Sequence, residues 1–208
     1  MSNSDDSEGS GEHSSGNPVK EMFLLALLYL PMGFFLWFFA AGLLMLPTRL
    51  ILESLLGLFP DIFSGVLQLG HMFEVQSVIQ VTNPEDGEIM PLTWDVNPMI
   101  YAWGMALLFG LTMATPLSIK RRLVQLAVAF VVVTIVTVWG AFWETWRDLA
   151  FLFGPEVGSV VDDVWLTPTV IALCYQLGFL MFPAVIPVAT WILMNRDFIE
   201  RDVLRHRR

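Results

Sequence analysis

Four stretches of the chain, about residues 22–46, 98–116, 123–143 and 168–194, contain no Lys, Arg, Asp or Glu. Nothing else in the sequence restricts the fold as strongly. A hydrocarbon core of ~30 Å takes about 20 helical residues, and each run is long enough to span it. Backbone groups in hydrocarbon must satisfy one another, so runs of this kind are expected to be helices. A transmembrane barrel would alternate in polarity over segments of about ten residues, a pattern these runs lack. The composition agrees, with 55% hydrophobic and 15% charged residues, against roughly 45–50% and about 25% in ordinary globular proteins. The expected fold is a mainly α integral membrane protein with four transmembrane helices. A soluble enzyme, a disulfide scaffold and a disordered chain are excluded as classes.

The net charge of −9 is unevenly spread. Residues 1–21 carry five acids against Lys20; residues 47–97 carry seven against Arg49; residues 144–165 carry five against Arg147. Lys120, Arg121 and Arg122 form a basic cluster, and residues 195–208 hold five Arg and three acids. Orientation follows basic residues rather than net charge. Both termini are therefore expected in the cytoplasm, with loops 47–97 and 144–165 outside. A cleaved signal peptide would have a basic start and a 7–15-residue apolar core. Here the start is acidic and the apolar run continues to Leu46, so an uncleaved anchor is expected. Residues 1–20 read as a solvated, disordered leader and 21–208 as the membrane domain. Cys174 is the single cysteine and can form no intrachain disulfide.

The first outer loop is too long to be a bare connection. Across Arg49–Leu69, apolar residues recur at roughly helical spacing, and Pro60 divides them. This predicts two short interfacial helices with their apolar side in the headgroup region. From His71 the period becomes two. Phe73, Val75, Ile79 and Val81 alternate with polar residues, and Met90, Leu92, Trp94 and Val96 repeat the pattern after Asn83-Pro84-Glu85-Asp86-Gly87. That is a β-hairpin signal. Two strands alone are marginal in water, so the hairpin needs a cover. The expected cap thus combines interfacial helices and a β-hairpin.

Asn97-Pro98 reads as N-cap and first helical residue of the second span. Ala102, Ala106, Gly110 and Ala114 then repeat every fourth residue, a ladder that lets another helix approach closely. Trp139, Trp143 and Trp146 cluster at the outer end of the third span and read as an aromatic belt.

Signals for chemistry are sparse. A reactive Cys174 would need a base and an electropositive setting. Its four-residue spacing from Gly178 offers helix packing instead. His71 with Glu74 and Asp95 lacks the three or four ligands of a metal site, so no metal and no cofactor are expected. Arg49 with Glu53, and Arg147 with Glu144 and Asp148, read as ion pairs within a helix, or as contacts to a partner's carboxylate. Tyr101, Gln125, Tyr175 and Gln176, with the threonines of the third span, are the other polar groups of note within the spans. No span holds an ionisable group of the kind a transporter commonly needs, and no nucleotide or hydrolase motif occurs. The basic C-terminal end is accounted for as an orientation signal, so no nucleic-acid partner is expected.

Several of these segments together resemble one family. They are Pro31…Trp37, Asn97-Pro98-Met99-Ile100-Tyr101-Ala102-Trp103-Gly104, Phe153-Gly154-Pro155-Glu156, and Ile171-Ala172-Leu173-Cys174-Tyr175-Gln176-Leu177-Gly178 with Trp191…Asn195-Arg196-Asp197-Phe198. Over about residues 20–200 the chain resembles the exosortase H-associated membrane proteins, small proteins of the bacterial inner membrane, and the resemblance implies that location. The resemblance implies association with an exosortase, a multispanning thiol transpeptidase that cuts proteins bearing a C-terminal sorting tail and uses a Cys, an Arg and a His. It carries over no catalytic residue, because no matching Arg/His motif surrounds Cys174. The expected role is a non-catalytic accessory protein whose cap contacts the exosortase or its substrates. The alternatives are a thiol enzyme using Cys174 with Arg147 or His71, and a small transporter. Arg49, His71, Trp94, Asn97, Tyr101, Trp103, Glu144, Arg147, Tyr175 and Gln176 are the candidate partner-binding residues. Ala102, Ala106, Gly110, Ala114, Cys174 and Gly178 are the candidate packing residues.

Overall fold

A computed structural model describes residues 18–82, 87–161, 164 and 166–200. The acidic leader, most of the expected 83–87 turn, Asp162, Asp163, Trp165 and the end of the basic tail lie outside the described residues. Helix α1 (Pro18–Phe39) is followed by two short helices, α2 (Ala41–Leu44) and α3 (Leu46–Leu56), and by strands β1 (Phe63–Leu69), β2 (Met72–Thr82) and β3 (Ile89–Val96). Helices α4 (Met99–Ala102) and α5 (Gly104–Ala114) lead into the 33-residue α6 (Ile119–Phe151). After α7 (Pro155–Gly158) and a 3-10 turn, α8 (Pro168–Gln176), a π turn (Leu177–Met181) and α9 (Phe182–Met194) form one long rod, which α10 (Arg196–Phe198) extends.

Among the described residues, three helical segments are long and apolar enough to cross a membrane: Lys20–Phe39, Ile119–Phe151 and Pro168–Met194. The first ends at Phe39, short of the expected Leu46, because the helix breaks at Ala40 and restarts as α2 and α3. The expected second span is also different. Met99–Ala114 is interrupted at Trp103, and its length is roughly 24 Å at 1.5 Å per residue. That falls short of a ~30 Å core.

Packing explains the order of the bundle. Helix α6 touches α3, α4, α5, α8 and α9, whereas α1 leans mainly on α5 and exposes most of its surface. The α1–α5 contact is close because small residues face it. A Cβ on Gly33 would lie 2.8 Å from the Ala106 carbonyl oxygen, and one on Gly110 would lie 3.1 Å from Leu30 Cα. Ala102, Ala106, Gly110 and Ala114 are all buried.

The cap corrects the sequence reading in one main respect. Arg49–Leu56 is helical, but the second expected interfacial helix is strand β1, so the hairpin is an antiparallel three-stranded sheet of order β1-β2-β3. A bulge explains the error. Phe63 opposes Ser77 while Gly65 opposes Gln76, so Ser64 is the extra residue and Phe63 and Val66 both turn inward. Their i, i+3 spacing imitates a helical period. Gly70, at φ 67°, opens the two-residue Gly70-His71 turn, where a side chain would be strained. The edge of β1 is covered by α3, since Arg49 Nη1 donates to the Val66 carbonyl at 2.8 Å. Edge strand β3 tolerates Pro91 for the usual reason that an edge can spare an N–H.

The inner face of the sheet (Phe73, Val75, Trp94, Val96) joins Leu52 and Leu56 of α3 and Trp146 and Leu149 of α6 in one core. Trp146 is fully buried, with Phe59 and Phe63 edge-on at 4.9 and 5.3 Å between centroids. Trp143 is buried too, and Trp139 packs against it at 5.8 Å. Trp143 and Trp146 are therefore core and not an aromatic belt, and Trp139 is half-buried against them. They bury large apolar area where the membrane bundle meets the cap.

The close α1–α5 contact makes a direct prediction. Gly33→Val is expected to destabilise the protein by about 1–3 kcal/mol, because backbone atoms of α5 block the new side chain. Thermal unfolding in detergent measures it, and an unchanged midpoint would contradict the contact.

Candidate functional site

The most concentrated polar chemistry lies where α4, α6 and α8 meet. Asn97 positions the first of these. Its side-chain oxygen accepts from the Met99 N–H at 3.1 Å, the contact of an N-cap followed by Pro98 at the first helical position. Tyr101, one turn on, is fully buried, and its ring lies against Gly140 so closely that any Cβ there would strike it. Glu144 is one turn further along α6. The Tyr101 hydroxyl therefore donates to Glu144 Oε2 at 2.9 Å, across 43 residues of sequence.

Arg147 completes the cluster. Its Nε donates to Asp148 Oδ1 at 2.8 Å, Nη2 reaches the same oxygen, and Nη2 lies 3.7 Å from Glu144 Oε1. The guanidinium carbon stands 4.3 Å above the Tyr175 ring, an arrangement that attracts a cation to the ring face. Tyr175 in turn stacks on Phe179 at 5.7 Å, and Phe179 meets Tyr101 edge-on at 6.5 Å. Two carboxylates thus share one guanidinium. Side-chain exposure is 11% for Glu144 and 4% for Asp148, but 31% for Arg147. The acids are structurally committed, whereas the guanidinium keeps one side open to solvent. It can offer charge-assisted hydrogen bonds to an incoming carboxylate or backbone carbonyl. Among the described residues no three His, Cys, Asp or Glu side chains lie together as a metal site would need.

The structure brings together Tyr101, Glu144, Arg147 and Tyr175 of the sequence candidates, with Asn97 orienting the first. The others fall elsewhere. Arg49 pairs with Glu53 at 3.1 Å on the sheet edge. His71 is exposed in the β1–β2 turn, and Trp94 is buried between Phe63 and Phe153. Trp103 is half-buried at the α4–α5 break, and Gln176 is exposed beside Phe151, away from the cluster. Cys174 is half-buried; its carbonyl accepts from Trp139 Nε1 at 3.1 Å, and Gly178 packs under the same indole. The sequence alone reads Glu144, Arg147 and Asp148 as ion pairs within one helix or as a contact to a partner's carboxylate; the structure adds Tyr101 and Tyr175 to them. Asp148 and Phe179 were missing from the site candidates. The available signal was Gly140, four residues before Glu144, which leaves room for a ring.

A second polar group ties the other ends of the helices. Gln125 and Asn195 exchange side-chain hydrogen bonds at 2.8 and 3.3 Å, and Trp191 Nε1 donates to Thr115 Oγ1 at 3.1 Å. It fixes α5, α6 and α9 relative to one another, and every polar atom named in it has a partner.

Removing the cation tests how the first cluster is held. Arg147→Met is expected to destabilise by roughly 3 kcal/mol, because two buried carboxylates lose their counter-charge. Adding Asp148→Asn is expected to recover most of that loss. Detergent melts of both variants measure the coupling, and additive losses would contradict it.

Comparison with known proteins adds one finding. No match was found among curated proteins or among solved structures. The family model for the exosortase H-associated membrane protein matches residues 16–198, most of the chain, and the chain belongs to that family.

Proposed function

We propose that this chain is a non-catalytic accessory protein of an exosortase-type sorting system, contacting the exosortase or its sorting-tail substrates through the cap and its junction with the bundle. Membership of the exosortase-associated family is the observation that carries the reading. Two features give it a place to act. Arg147 is half-open at the junction, held between Asp148 and Tyr175. Strand β3 is an edge of the sheet, and its first residues, Ile89 and Met90, are exposed. An extended segment of a partner can pair with such an edge through its backbone.

The proposed topology has four passes, with Met99–Ala114 as the short second one, packed between α1 and the α6–α9 pair. Both termini then lie in the cytoplasm of a bacterial inner membrane, and the sheet lies outside. The separation of basic clusters from acidic loops supports this orientation.

Mild crosslinking in cells followed by purification is expected to recover an exosortase or a protein bearing a sorting tail. Recovery of neither would overturn the reading. Cys174→Ala is expected to leave sorting unchanged in the same cells; a loss of sorting at normal protein level would favour a thiol enzyme instead.

A further inference from the structure

The start of α6 combines features that rarely occur together. A helix N-terminus carries partial positive charge and unsatisfied N–H groups, and acidic residues normally sit there. Here the first turn has no acid and contains Lys120, Arg121 and Arg122, and Ser118 makes no side-chain capping bond. Arg122 is occupied in part, with Nη2 donating to the Thr115 carbonyl at 3.3 Å. Lys120 and Arg121 are exposed and form no ion pair or hydrogen bond with any described residue. Positive charge is thus gathered at the positive end of a helix dipole, an arrangement that an anion relieves.

The same two side chains form the rim of a groove of about 380 Å³. Its walls below the rim are Val124, Val128 and Met194, and Gln125, locked to Asn195, closes its inner side. Lys120, Val124 and Val128 recur every fourth residue, so one stripe of α6 runs from a cation to exposed apolar surface. Val124 and Val128 are 63% and 39% exposed, on a helix apolar and long enough to span the membrane.

We infer that this groove binds an anionic phospholipid, with its phosphate held by Lys120, Arg121 and the free N–H groups of the α6 N-terminus, and an acyl chain lying along Val124, Val128 and Met194. Charge complementarity selects the occupant. A zwitterionic headgroup would bring its own cation to a site already rich in them, and a free phosphate would leave the apolar walls uncovered. Basic pockets beside membrane helices commonly take anionic headgroups. The inference stands apart from the partner reading, since it needs only membrane embedding.

The test uses the full chain in mild detergent, with native mass spectrometry after adding phosphatidylglycerol, phosphatidylethanolamine or phosphatidylcholine of matched acyl chains, or inorganic phosphate alone. Phosphatidylglycerol is expected to be retained preferentially. Lys120→Gln with Arg121→Gln is expected to reduce that retention about thirtyfold, each cation contributing roughly fivefold. Val128→Trp fills the groove without altering loop charge or the orientation signal, and is expected to reduce retention as well. Equal retention of all three lipids, unchanged retention in both variants, or displacement of phosphatidylglycerol by inorganic phosphate alone would each overturn the inference.

Discussion

The structure depends on the unbroken length of α6. At 33 residues it extends for roughly 50 Å, more than a bilayer of about 40–45 Å including headgroups. Its last turns must therefore either tilt or leave the membrane, and they supply Trp146 and Leu149 to the core beneath the sheet. The same helix carries Glu144, Arg147 and Asp148 at the junction and Gln125 near its start. Sheet, polar cluster and the Gln125–Asn195 pair are thus held in register by one hydrogen-bonded rod. None of them needs a covalent staple, consistent with a chain that has a single cysteine.

Burying two acids beside a partly exposed arginine is an expensive way to stabilise a protein. Replacing a buried ion pair by well-packed apolar residues is often neutral or favourable. The cluster therefore suits specificity better than stability. Tyr101 and Tyr175 reach it from separate helices, so its geometry forms only when α4, α6 and α8 are correctly placed. Apolar packing alone would accept several helix rotations; a hydroxyl aimed at one carboxylate accepts few.

The elements most visible in the sequence were those set by local chemistry. Three of the four charge-free runs located the long helices, the Asn97-Pro98 pair located the start of α4, and strict alternation located β2 and β3. Arg49–Glu53 was legible as an i, i+4 pair. What escaped had a long-range cause or a misleading period. The bulge at Ser64 made a strand look helical. The tryptophans of α6 looked like a membrane belt because nothing local shows that a sheet will cover them. The Tyr101–Glu144 bond joins distant segments, and only Gly140 hinted at it. The break at Trp103 places Gly104 against Pro187, a contact between distant helices that no local pattern announces.

The π turn at Leu177–Met181 has a consequence for how this chain can vary. It precedes Pro183, whose missing N–H could not have closed a regular turn. One rod must present Tyr175 to Arg147 at one end and Trp191 and Asn195 to Thr115 and Gln125 at the other. The wide turn sets the angular phase between those two ends, much as a spacer sets the teeth of two gears on one shaft. A single-residue insertion or deletion inside it would leave each half intact as a helix and turn one end out of mesh. Substitution there is constrained chiefly at Gly178, but length is constrained throughout.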